Sequence, residues 1–253
     1  EARGHLATMP FIPWSTDELR EVRDELVRWR AADQPRRSHP SLFVRAHNGL
    51  YAHIRAYLVS LLSVRLGEHA SADAYASELD QLPGTPYIRS LGHALAEHAR
   101  AELAAARGKA VEGLDTLARA EVDVGYDCGI TSPFYSRAGA RYLRGMLADS
   151  TGCHDDAARW FASFGETSVY DLAYMAPALV RRGASLEKLG RTDAAVESYR
   201  RAVALWAERD EELAPIIAPA EARLTALGFG ARTATASTRR AGFQPSPDVP
   251  IGA

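Results

Sequence analysis

Apolar residues recur along this chain at helical spacing. In "WSTDELREVRDELVRWRA", Leu19, Val22, Leu26 and Val27 fall on one stripe, and Ser15 with Glu18 forms a capping box that closes the first turn. Pro35 and Pro40 in "DQPRRSHPS" then interrupt the pattern. Beyond them the pattern predicts a long helix, a Gly turn and a shorter helix, four times over. The long helices are expected over about 41–66, 86–107, 133–150 and 170–189, the shorter ones over about 70–81, 109–120, 154–164 and 192–208. A last helix is expected over 214–227. Sustained β-branched alternation and Asn-Gly or Asp-Gly turns are missing, so strands are not expected. The end, "GARTATASTRRAGFQPSPDVPIGA", loses periodicity and is too polar to bury a core, so 228–253 is read as a flexible tail.

The helical pairs share a second pattern. In "SLEKLGRTDAAVESYRRAVALW" and the residues before it, Gly183, Gly190, Ala195 and Tyr199 stand at set offsets. Gly145, Gly152, Ala157 and Phe161 repeat those offsets, as do Ala101, Gly108, Gly113 and Leu117. Ser60, Gly67, Ala72 and Ala76 are the weakest copy. Small residues sit where two helices would approach closely, and the aromatic fills the space against its neighbour. Gly190 would end a first helix in the left-handed region, and Thr192 would cap the second.

These residues resemble the tetratricopeptide repeat, a 34-residue helix–turn–helix with the pattern W-x2-L-G-x2-Y, then A-x3-F, then P. In the last copy Leu179 stands at the Trp position, Gly183 at the Gly, Leu186 at the Tyr, and Ala195 with Tyr199 matches A-x3-F. Arginine replaces the first-helix Leu at Arg100, Arg144 and Arg182, and the expected proline is missing. The turn glycines Gly67, Gly108, Gly152 and Gly190 are 41, 44 and 38 residues apart, longer than the family's period. The resemblance implies an all-α fold, a right-handed solenoid of about four hairpins over 41–227. Residues 1–40 would form an N-terminal capping helix and linker, and the helix over 214–227 a C-terminal cap. The pattern is also similar to helical-repeat regions at the C-terminal end of bacterial multidomain regulators, serine/threonine protein kinases and transcriptional activators among them.

Composition narrows the function. A net charge of −2 and a pI near 6.5 argue against a nucleic-acid footprint. Of 30 basic residues only Lys109 and Lys188 are lysine, a bias that a GC-rich genome explains. Cys128 and Cys153 are too few for a disulfide framework, so a reducing, cytoplasmic setting is expected. The longest apolar run, "AYLVSLLSV", is too short to cross a bilayer. The opening residue is Glu1, which fits a piece of a longer protein covalently linked to an upstream regulatory domain.

Catalytic signatures are missing. The chain has no G-x-G-x-x-G, no P-loop and no G-x-S-x-G. His93 and His98 are five apart, and His47 and His53 six, so neither pair shares a helix face. Cys153, His154, Asp155 and Asp156 read as a helix start with acidic residues against the dipole. No metal or cofactor is implied, and the protein is not expected to be an enzyme. One alternative places chemistry in the loop "EVDVGYDCGITSPFY", where Glu121, Asp123, Asp127, Cys128, Ser132 and Tyr135 gather in sequence. That reading predicts a deep pocket with perturbed carboxylates. Another alternative is a self-assembling scaffold.

The resemblance points instead to binding. It implies that the inner faces of the first helices line a concave groove, with one position per copy at Tyr57, His98, Tyr142 and Val180. Tyr135, Tyr170 and Tyr174 stand on upstream extensions of the last two first helices. Aromatic residues are favoured binding anchors. The expected function is therefore a non-catalytic interaction or sensor module. It would hold a protein or peptide segment in an open groove, as the accessory arm of a bacterial signalling protein, with no nucleic-acid or membrane partner.

Overall fold

The computed structural model describes residues 1–29, 49–120, 122, 132–165 and 168–229, and every regular element among them is helical. In chain order these are α1 (Ala2–Thr8), α2 (Thr16–Arg28), α3 (Tyr51–Arg65), α4 (His69–Gln81), α5 (Pro86–Ala106) and α6 (Ala110–Arg119). There follow the single turn α7 (Pro133–Ser136), then α8 (Ala138–Ser150), α9 (His154–Phe161), α10 (Val169–Lys188), α11 (Thr192–Leu205) and α12 (Ala214–Ala226). A 3₁₀ turn, Glu211–Leu213, precedes α12.

Four pairs pack as units: α3 with α4, α5 with α6, α8 with α9, and α10 with α11. Each pair packs on the next, through α3–α5, α6–α8 and α8–α10, while α2 covers α3 at one end and α12 covers α11 at the other. The same turn joins every pair. Gly67, Gly108, Gly152 and Gly190 all have positive φ, between 70° and 81°, where a Cβ would be strained. The residue after each donates its N–H back to the first helix, as in Glu68 to Ser63 and Arg191 to Leu186, both 2.9 Å. This double closure satisfies carbonyls that a helix end leaves open. Gly228 ends α12 in the same way.

The repeated offsets are helix–helix contacts. A Cβ built on Gly183 would lie 2.4 Å from Tyr199 Cε1, and one on Gly145 2.6 Å from Phe161 Cε1. In the first pair Ser60 Oγ donates to the Ala72 carbonyl at 2.7 Å. Three arginines on first helices reach across to second helices. Arg100 pairs with Asp80 on α4, Arg144 donates to the Leu117 carbonyl of α6 and lies over Trp160 of α9, and Arg182 donates to Ser198 on α11.

Local signals set most boundaries. The Ser15–Glu18 capping box forms in full, with Ser15 N–H donating to Glu18 at 2.8 Å and Glu18 N–H to Ser15 Oγ at 3.2 Å. Thr85 and Pro86 start α5, and Ser168 caps α10.

Several details differ from what the sequence pattern predicts. The helix expected over 133–150 breaks at Arg137, whose φ of 50° ends α7 and starts α8. Thr192 is the first residue of α11 and not its cap; Arg191 holds that place without a side-chain bond. The N-terminal region contains an additional helix, α1, which the sequence reading did not anticipate. The long helix expected over 41–66 begins only at Tyr51, after a turn at residues 49–50; residues 41–48 and the tail from 230 lie outside the described residues.

Candidate functional site

The long helices bring one face together. From α3, Tyr57 meets His98 of α5 through a 2.7 Å hydrogen bond between its hydroxyl and Nδ1. Both side chains are buried. His98 Nε2 lies 3.6 Å from a Glu102 carboxylate oxygen but has no hydrogen-bond partner among the described residues. Burial pushes the Tyr57 hydroxyl well above its ordinary range and raises that of Tyr174 as well.

Further along, Tyr142 of α8 and Tyr174 of α10 lie 5.6 Å apart, and Phe164 stacks on Tyr174 at 5.8 Å. Phe161 closes the group edge-on to Tyr142 at 5.6 Å. Burial raises the Tyr142 hydroxyl, with Arg181 opposing.

An open groove was expected here. The face is instead covered by the chain's own first residues. Helix α1 lies between α2 and α3, where a Cβ on Gly4 would touch Leu26 and Leu58 at 3.0 and 3.1 Å. His5 then stands edge-on to Phe134 at 5.8 Å. Past α1 the backbone is extended at Met9, and Met9, Phe11 and Ile12 join the cluster of Tyr142, Tyr174 and Ala178. The Phe11 ring is edge-on to Tyr142 at 5.6 Å and to Tyr174 at 5.1 Å.

Arg65, at the end of α3, holds the backbone of this segment. Its guanidinium donates to the carbonyls of Ala7, Met9 (3.1 Å) and Ile12 (3.4 Å). Burial lowers the Arg65 pKa, with Glu102 opposing. His5 is pushed down to about 4 by burial, with Glu1 opposing, and neither ring nitrogen has a hydrogen-bond partner among the described residues.

What remains between segment and face is a cavity of about 20 Å³, lined by His5, Thr8, Tyr57, His98, Glu102 and Tyr174 among others. That is room for roughly one water.

The other singled-out residues lie apart from this cavity. Tyr135 is buried against Tyr87 of α5 at 6.2 Å, and Tyr170 is half-buried on the first turn of α10. Val180 packs between α10 and its neighbours. Of the 121–135 loop, Glu121, Asp123, Asp127 and Cys128 lie outside the described residues. Ser132 caps α7. The cleft beside Val122, about 400 Å³, is lined by Arg137, Arg141, Arg144 and Trp160, with no carboxylate among its described lining residues. At the start of α9, His154 pairs with Asp149 at 2.8 Å, Asp155 with Arg191 at 2.8 Å, and Asp156 with Arg159. Among the described residues, no three His, Cys, Asp or Glu side chains group as a metal site, and no helix is long and apolar enough to cross a membrane.

No family model matches this chain, and neither the curated proteins nor the solved structures contain a match to it.

The residues that cover the face carry no helical signal in the sequence. Its helical pattern begins at Ser15, and the apolar residues before it, Leu6, Ala7, Met9, Phe11 and Ile12, follow no single period. The available signal was that five apolar residues within seven positions need burial somewhere.

Proposed function

We propose that this chain is a tetratricopeptide-like solenoid that binds a peptide or protein segment on the concave face of its long helices. It would serve as the docking or sensing arm of a bacterial regulatory protein. One observation carries the reading: a non-helical stretch of chain, Met9–Ile12, already lies against this face. It is held as a bound peptide is held, by backbone hydrogen bonds to Arg65 and by an aromatic side chain between two tyrosines. Main-chain bonds supply affinity, and side-chain pockets supply selectivity.

The stacked pairs support the reading physically. A single hairpin leaves one flank uncovered, so neighbours must cover it, and the first helices then share one side. Tyr57, His98, Tyr142 and Tyr174 are on that side, contributed by four different helices.

Panning displayed random peptides on the full chain tests the proposal. Enriched peptides should bind the wild type and lose about tenfold or more in affinity on Tyr142→Ala, a loss on the scale of an aromatic anchor. Peptides that bind equally well to a folded Tyr142→Ala chain would place the binding surface elsewhere.

A further inference from the structure

We infer that residues 5–12 are a displaceable internal ligand, and that the partner is a separate peptide segment of the same chemistry. Its core is an apolar residue, a proline and an aromatic residue in succession, as Met9, Pro10 and Phe11 are here. The inference rests on the reading of this face as a peptide site.

Arg65 argues for main-chain recognition. Its described acceptors are three backbone carbonyls and no carboxylate. Carbonyls at Met9 and Ile12 are available because the segment leaves the helix after Thr8. Any segment that turns the same way would satisfy Arg65, whatever its side chains. Selectivity then falls to the pockets. Met9 is only 2% exposed, and Phe11 stands edge-on to two rings. Pro10 between them keeps the backbone out of a helix.

The internal segment is an imperfect occupant. It encloses both His5 ring nitrogens without a hydrogen-bond partner among the described residues, covers His98 Nε2 without bonding it, and leaves Leu6 44% exposed. Tethering compensates, because a covalently attached ligand acts at high effective concentration. A partner with the same core and without the buried imidazole competes on better terms. The internal segment therefore sets a threshold against weak binders.

The test titrates a fluorescein-labelled peptide, GHLATMPFIPW (residues 4–14), into the full chain and into its Met9→Ala/Phe11→Ala variant. The variant loosens the internal segment and leaves the face intact. We expect it to bind the peptide at least about tenfold tighter than the wild type, and a peptide with alanine in place of Met and Phe to bind neither. Equal affinity for both chains overturns the inference while the peptide-site reading stands. No binding by either folded chain overturns both. Should the variant misfold, hydrogen exchange of the wild type with saturating isotope-labelled peptide decides: exchange at residues 5–12 should rise, and unchanged exchange overturns the inference. A concentration-dependent dimer that the peptide disperses would make the occupant a second copy's segment and overturn the separate partner.

Discussion

The ring of Phe11 stands at 90° to that of Tyr174, with centroids 5.1 Å apart, although 163 positions separate the two residues in sequence. This contact ties the start of the chain to its fourth helical pair. Phe11→Ala should destabilise the fold by about 2 kcal/mol, from lost aromatic burial and the edge-to-face contact. Denaturant titration measures the loss. Exchange should rise at residues 5–12 and stay level in α11; a uniform rise across the chain would contradict local docking.

Gly183 leaves no space for a side chain beside Tyr199. Gly183→Leu should cost about 1–3 kcal/mol through overpacking. Gly183→Ala should also destabilise, even though alanine favours a helix by about 1 kcal/mol. Tyr199→Leu removes the ring atom at 2.4 Å, so the alanine penalty should shrink in that background. An identical penalty in both backgrounds would show that the clash is not with Tyr199.

His5 makes docking pH-dependent. Its ordinary value is 6.5, and burial lowers it to about 4 in the docked state. The undocked segment therefore binds more protons between these values. Docking should be at full strength above pH 6.5 and weaken as pH falls toward 4, by on the order of 3 kcal/mol in all. Around His5 the cavity places Tyr57 from α3, His98 and Glu102 from α5, Arg137 ahead of α8 and Tyr174 from α10, with Glu1 at the N-cap of its own helix. NMR titration of the His5 ring should give a midpoint near 4. A midpoint near 6.5 would mean that the imidazole is solvated and the docking insensitive to it.

Asp149 joins three helices. Its carboxylate accepts from Lys188 at 2.8 and 2.9 Å, from His154 at 2.8 Å and from Ser185 at 3.1 Å. Burial works against the charge, but these donors outweigh it and hold the carboxyl below its ordinary 3.8. The stability it contributes is present above that value and is lost as pH falls through the lowered one. Asp149→Asn should cost about 2 kcal/mol at neutral pH, the scale of charge-assisted bonds. The variant should also show a shallower acid limb in thermal melts. A wild-type acid limb there would assign that limb to other carboxylates.

Much of this architecture was legible because its rules are local. A glycine after an apolar stripe, followed by a small-residue helix start, specifies a left-handed turn whatever surrounds it, and Gly67, Gly108, Gly152 and Gly190 adopt it. The Ser15 capping box depends on atoms three residues apart. Even the small-to-large offset of Gly183 and Tyr199 spans only one hairpin. The break at Arg137 was not legible, since nothing in "SPFYSRAGARY" marks an arginine for positive φ.

The candidate site was half legible. The repeat resemblance singled out Tyr57, His98 and Tyr142 at one position per copy; in the structure Tyr57 meets His98, and Tyr142 meets Tyr174 of α10. Register could not reveal that Tyr135 turns toward Tyr87, or that Arg65 serves a distant backbone. Why arginine stands at positions 100, 144 and 182, where the resemblance expects leucine, is visible only in space: each finds an acceptor on a second helix.

By itself, then, the sequence determined the paired helices, their glycine turns and the close approaches within each pair, though not α1 or the break at Arg137, because these pairings depend on contacts within about 40 residues and on backbone rules that need no partner. Only the tertiary structure decided that the shared face of the long helices is occupied. The apolar residues from Met9 to Ile12 carry no periodicity that names their destination, and their burial site is assembled from α3, α8 and α10 only after the pairs have stacked.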